Sequence, residues 1–314
     1  MVNAFLYMLV VLIWGTTWIA ITAQQGVVSP EVSIFWRFLI AAVILWIALL
    51  YKGKRHHLTW QDHMFCMLQG ICVFGLNFLC FYTAVAYVNS GLESVIFSMA
   101  VLFNAINSRL FFATPISRRF YPAAILGFAG MIALFWQDIS ATTLQTETFF
   151  GIGLCVLGTL GFSFGNMVST RHQRKGLDVF TTNAYGMSYG VIFMALLAII
   201  QGHHFMPAFE PKFVTAVLYL AIFGSVVGFS AYFLLVGRIG AGQAAYSTLL
   251  FPLIALSIST FWEGYVWNTS AILGVVLILV GNFIFFAKLP TKKLAKEAPS
   301  PSERQLKDCC HKPD

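Results

Sequence analysis

Ten stretches of about twenty mostly apolar residues follow one another along the chain, at 4–22, 32–51, 63–85, 92–112, 120–136, 149–170, 179–200, 213–235, 241–262 and 270–287. A helix of that length covers the roughly 30 Å of hydrocarbon in a bilayer. Backbone groups in lipid must bond within their own segment, and no alternating pattern supports a barrel, so each stretch is expected to be a spanning helix. Composition agrees. The 314 residues are 59% hydrophobic and 10% charged, with mean hydropathy +0.79, against the roughly 25% charge that wets an average soluble domain. The fifth stretch is short, and the fourth is the least apolar because it holds Asn104, Asn107 and Arg109.

The net charge of +7 and pI near 9.1 do not point to nucleic acid. The basic residues sit between apolar runs: Lys52, Lys54 and Arg55, then Arg118 and Arg119, then Arg171, Arg174 and Lys175, then Arg238, with a Lys-rich tail. Only Lys212 falls on the other side. That asymmetry is a topology signal and places both termini in the cytoplasm, in a multi-pass protein of the cytoplasmic (cell inner) membrane. Residues 289–314 read as a disordered cytoplasmic tail, too poor in apolar surface to fold. Cys309, Cys310 and His311 in that tail are a weak metal-binding pattern, and no Cys/His spacing completes a metal site elsewhere. Cys66, Cys72, Cys80 and Cys155 lie in apolar segments and read as small hydrophobes. No phosphate loop is present, so no cofactor and no ATP hydrolysis are expected.

The halves, residues 1–137 and 149–288, overlay with a shift of about 150. Trp14-Gly15 then meets Phe164-Gly165, Tyr82 meets Tyr232, and Ser90-Gly91-Leu92 meets Gly240-Ala241-Gly242; with one residue more, Gly130 meets Gly281. Each half has five stretches, an odd number, so the second enters the membrane from the opposite face. The expected fold is therefore all-α: ten transmembrane helices as two inverted-topology five-helix repeats, the arrangement of many secondary transporters.

Further residues carry a family resemblance. Ile13-Trp14-Gly15-Thr16, Trp36-Arg37-Phe38 and Leu126-Gly127-Phe128-Ala129-Gly130 stand in the first half. Phe251-Pro252-Leu253, Trp262-Glu263-Gly264, Gly274 and Gly281 stand in the second. Over about residues 4–287 the chain resembles the EamA-type transporters of the drug/metabolite transporter superfamily. It departs from them in lacking a first-half echo of Pro252 and in having Ala113 where an acid matching Glu263 is usual. The resemblance implies a central cavity lined by the first, third, fourth, sixth, eighth and ninth spans. It also implies export of metabolites, amino acids and toxic compounds, driven by proton exchange.

Arg37, about two turns into the second span, is the most informative residue, since charge inside a span is costly and usually functional. It reads either as a contact for an anion or an internal partner of Glu93 or Glu31, or as a snorkelling, bundle-stabilising Arg. Glu93 reads as a proton-carrying coupling group or as a carboxylate favoured at a helix N-terminus. Trp14 and Trp18 share one helix face. With Asn77, Tyr82, Asn104, Asn166, Tyr185, Tyr189, Tyr232 and Tyr246 they are candidates to line a solute pocket; Asn107 is a further polar candidate. Helix–helix hydrogen bonding and interfacial anchoring are the structural alternatives. Pro252 is expected to kink the ninth span as a hinge. Gly161-x-x-x-Gly165, Gly186-x-x-x-Gly190 and Gly224-x-x-x-Gly228 predict close helix packing.

These features point to a secondary transporter working by alternating access on a small, amino-acid-like or drug-like solute. Its partners would be that solute and the bilayer, with no nucleic acid, in a monomer or homodimer. Facilitated diffusion or uptake is the alternative. An intramembrane lipid enzyme is disfavoured because the expected spans hold no His beyond His63 at an edge.

Overall fold

The computed structural model describes residues 2–53, 57–116, 118–134, 136, 146–206 and 209–286, so Lys54, Arg55 and the 289–314 tail with Cys309, Cys310 and His311 lie outside the described residues. Eight helices are long and apolar enough to cross a membrane. They are α1 (Val2–Thr22), α2 (Pro30–Lys52), α3 (Trp60–Ala84), α4 (Ser90–Phe112), α6 (Thr146–Arg174), α7 (Val179–Ile200), α8 (Pro211–Ile239) and α9 (Ala241–Trp262). Two shorter apolar helices, α5 (Phe120–Leu134) and α10 (Thr269–Phe286), complete the bundle. No strand occurs among the described residues.

Local sequence explains the helix starts. Pro30 opens α2, where its missing N–H costs nothing. Asn89 Oδ1 accepts from the Leu92 amide, Asp178 Oδ2 from Thr181, and Asn268 Oδ1 from Ala271, each satisfying an orphan N–H at the start of α4, α7 or α10. Thr59 and Asp62 form a reciprocal capping box on α3. Helix α6 runs a turn past the expected 149–170, to Arg174, because its last polar turn is held by contacts with α3. That extension buries His172 inside the helix, which corrects the expectation that His63 would be the sole His in a span.

The helices interlock across the middle of the sequence. α1 packs on α8 and α9, α6 packs on α3 and α4, α2 lies along α7, and α5 lies along α10. Glycines let backbones meet: a Cβ on Gly70 would sit 2.5 Å from the Gly186 carbonyl oxygen, and one on Gly274 would sit 2.6 Å from the Gly130 carbonyl oxygen. Substitution there would separate the helices rather than be absorbed by a side chain.

Two kinds of irregularity recur 150 residues apart. Both α3 and α8 contain an eight-residue π-helical stretch, Gly70–Asn77 and Leu220–Val227. Such widened turns shift the hydrogen-bond ladder and are frequent at functional sites. Both α4 and α9 are broken near the middle. α4 pauses at Ser98–Met99 between Ser90–Phe97 and Ala100–Phe112. α9 passes through a 3₁₀ turn, Ala245–Leu249, before resuming at Phe251. Ser98 and Thr248 are equivalent at the same offset, and each hydroxyl donates to the carbonyl three residues back at 2.6 Å. This back-bonding competes with the helix ladder. The sequence assigned the ninth-span kink to Pro252. Instead the break precedes it, and Pro252 sits in the first turn of the resumed segment.

Candidate functional site

The irregular helices converge on one central cavity of about 40 Å³. Trp14 and Trp18, one turn apart on α1, form one wall. Phe81 of α3, Phe97 of α4, Phe162 of α6 and Phe251 of α9 close it with edge-on and tilted rings; Trp18 meets Phe81 at 5.1 Å and Phe97 at 5.6 Å between centroids. A space of this size holds a few waters at most, and the aromatic side chains fill much of the centre.

The π-helical turn of α8 positions two of the lining side chains. It leaves the Gly224 carbonyl free to accept from Trp14 Nε1 at 2.9 Å, and presents Ser225 Oγ to Arg37 Nε at 2.9 Å. Gly224 leaves room for this approach, since a Cβ there would meet Thr17 at 3.1 Å and the Arg37 guanidinium at 3.2 Å and press both back. Arg37 is 2% exposed and borders the cavity. Its Nη1 donates to the Tyr82 hydroxyl at 3.4 Å, and its guanidinium carbon lies 4.3 Å from the centre of the Phe78 ring. It makes no ion pair among the described residues. Glu31 lies 3.3 Å from His203 instead, and neither oxygen of the fully buried Glu93 has a hydrogen-bond partner. Thus Arg37 neither snorkels nor pairs with Glu93 or Glu31. On α3, Asn77 also borders the cavity and donates to the Gly158 carbonyl of α6 at 2.8 Å.

A second polar group adjoins the cavity through the Tyr232 ring, whose centroid is 5.0 Å from that of Trp14. Asn166 Nδ2 donates to the Tyr232 hydroxyl at 3.0 Å and to Asn104 Oδ1 at 3.2 Å, with all three side chains buried. Asn107 Nδ2 donates to Ser163 Oγ at 2.9 Å. These bonds tie α4, α6 and α8 together beneath the aromatic wall.

Away from the cavity, two carboxylates fasten helix ends together, Asp62 at the start of α3 and Glu263 at the end of α9. Glu263 accepts from Thr22 of α1 at 3.1 Å, Ser90 of α4 at 2.6 Å and Ser259 of α9 at 2.5 Å. Asp62 meets Arg171 at 2.9 Å and Lys175 at 3.1 Å. Arg171 also stacks on Phe65, 3.8 Å from the ring centre.

Among the candidates named from sequence, Trp14, Trp18, Arg37 and Asn77 border the cavity, Tyr82 and Tyr232 touch its lining side chains, and Asn166 and Asn104 stand behind Tyr232. Tyr185 and Tyr189 lie apart, packed with Trp46 and His63; the Tyr189 hydroxyl is 3.0 Å from His63 Nδ1. Tyr246, in the broken part of α9, clusters with Val101 and Tyr7. Sequence reasoning overlooked Ser225 and the Asp62 clasp. The capping-box spacing Thr59-x-x-Asp62 before an apolar run was the available signal for Asp62. Among the described residues no His/Cys/Asp/Glu group has metal-holding geometry.

Comparison with known proteins gives three concordant results. The model of the EamA-like transporter family matches residues 1–136 and again 145–287. Protein PagO of Salmonella typhimurium is 27% identical over 288 residues, covering 90% of this chain and 91% of that one. The uncharacterized inner membrane transporter YedA of Escherichia coli is 26% identical over 298 residues, covering 92% and 94%. A solved crystal structure superposes with a TM-score of 0.69 at 15% identity, covering 90% of this chain and 96% of that one, which speaks to the fold alone.

Proposed function

This chain belongs to the EamA-like transporter family, and from that premise we propose that it exports a small amino-acid-like or drug-like solute by alternating access. It is a multi-pass protein of the cell inner membrane and a transporter rather than an enzyme. The observation that carries the mechanistic reading is the placement of a buried, aromatic-walled cavity where paired π-helical turns and paired helix breaks meet. Broken helices at a midplane site between repeats are what an alternating-access carrier requires.

In this reading α5 and α10 also span, giving ten helices in two inverted five-helix repeats. The match of one family model to both stretches of the chain supports the duplication. Both termini lie on the cytoplasmic side, supported by the Lys and Arg residues gathered at one end of the bundle. The Asp62 clasp then faces the cytoplasm and the Glu263 clasp faces outward. Opening one while the other holds exposes the cavity to each side in turn. Glu93, fully buried on α4 without hydrogen-bond partners, is the candidate to carry a coupled proton.

Comparing the metabolites secreted by cells with and without the gene tests export directly. Uptake into inverted vesicles, with and without an imposed pH gradient, tests coupling. Flux that ignores the gradient would reduce the mechanism to facilitated diffusion. A Tyr232→Ala variant that expresses normally is expected to lose flux.

A further inference from the structure

Resting on the transporter reading of this same cavity, and narrowing its solute class away from amino acids, the geometry points to a solute that is a net anion: a monocarboxylate on a flat apolar body, without an ammonium group. Arg37 is the one charged side chain among the described residues that border the cavity. It lies about 10 Å along α2 from Pro30, at 1.5 Å per residue, and is 2% exposed. A cation at such depth is costly unless paired, and side chains of this kind commonly serve as ligand counter-ions. Its described polar partners are two neutral hydroxyls, Ser225 and Tyr82. They engage two of the five N–H donors of a rigid fork that matches a carboxylate. Trp18 Nε1, also at the cavity, is buried with no hydrogen-bond partner. It is a further unmatched donor on a side chain that lines the same cavity, and donors of this kind are rarely left unmatched.

The lining excludes the other charge types. Glu93 and Glu263 do not border the cavity, so an ammonium finds no carboxylate there. Ring faces alone attract cations, but Phe78 is already covered by Arg37 at 4.3 Å. A second cation about 5 Å from Arg37, at an effective dielectric near 20, is disfavoured on the order of a hundred-fold. The remaining walls, Trp14, Trp18, Phe81 and Phe97, suit a planar ring by edge and face contacts. The cavity, about 40 Å³ in this structure, must widen to admit it.

Three probes share one ring and differ in charge: phenylacetate, phenylalanine and phenethylamine. Equilibrium binding to the purified protein and counterflow in liposomes, with protein-free liposomes as blank, rank them. Phenylacetate is expected to bind and exchange at least ten-fold better than either of the others. Arg37→Gln should lower it at least ten-fold, and Arg37→Lys should retain part of the activity. The wild-type ranking decides the matter even where Arg37→Gln does not fold. Equal or better flux of phenylalanine or phenethylamine overturns the anion inference and leaves the transporter reading standing. Absence of binding and flux for all three also overturns it, and the metabolite comparison then judges the transporter reading separately.

Discussion

The α3–α4 pair and the α8–α9 pair share backbone devices and differ in chemistry. Each pair has an eight-residue π-helical turn, a broken following helix and a hydroxyl that bonds back three residues, all 150 positions apart. The side chains at matching positions diverge. Asn77 meets Val227, Glu263 meets Ala113, Pro252 meets Leu102, and in the neighbouring helices Arg37 meets the buried Met187. Even the conserved pair parts ways: Tyr82 receives a bond from Arg37, whereas Tyr232 receives one from Asn166. The two stretches thus share an irregular backbone frame, and one asymmetric site stands within it.

The largest test of this contrast is Glu263→Ala. It strips a charged acceptor from three hydroxyls, and hydrogen bonds to charged groups contribute roughly 1.5–3 kcal/mol each. Flux is expected to fall at least about ten-fold, the size of one such bond converted to an equilibrium constant. Adding Ala113→Glu to that variant should not restore it, because Ala113 is an exposed helix cap with φ of 52°. Rescue would mean that the halves are chemically interchangeable. A middle-sized effect separates the tyrosines. Tyr82→Phe should slow flux severalfold with little change in thermal midpoint. Tyr232→Phe should cost about 0.6–1 kcal/mol of stability, the usual size of an interhelical hydrogen bond in a membrane. Thermal unfolding in detergent beside a counterflow assay measures both. The smallest effect on flux belongs to Pro252→Leu, which makes the position like Leu102. Since the break precedes Pro252, α9 should stay broken and flux should change least of all, while the larger side chain at this buried position costs about 1–3 kcal/mol of stability by overpacking. A large drop in flux would mean that the ring itself holds α9 broken.

The frame was readable in the residues to different depths. Helix positions followed from apolar run length, and the repeat offset from weak collinear matches such as Tyr82 with Tyr232. The π-helical turns were not readable, because Gly70–Asn77 and Leu220–Val227 match at no position and carry no common residue signal. Arg37 announced itself by its charge, but its partners did not, since Ser225 is 188 residues away and ordinary in type. Tyr185 and Tyr189 misled because helix periodicity does not say which neighbour a face meets. There it meets His63 and Trp46 at the periphery.

The cross-packing of α1 on α8 and α9, and of α6 on α3 and α4, has a consequence for how such a molecule is made. The most closely packed helix pairs all run between residues 2–134 and 146–286, so the stretch synthesised first waits in the bilayer with those contact faces bare until the other arrives. Co-expressed as two polypeptides cut within 137–145, the two stretches should find each other and rebuild one working unit, while either alone is a substrate for membrane proteases.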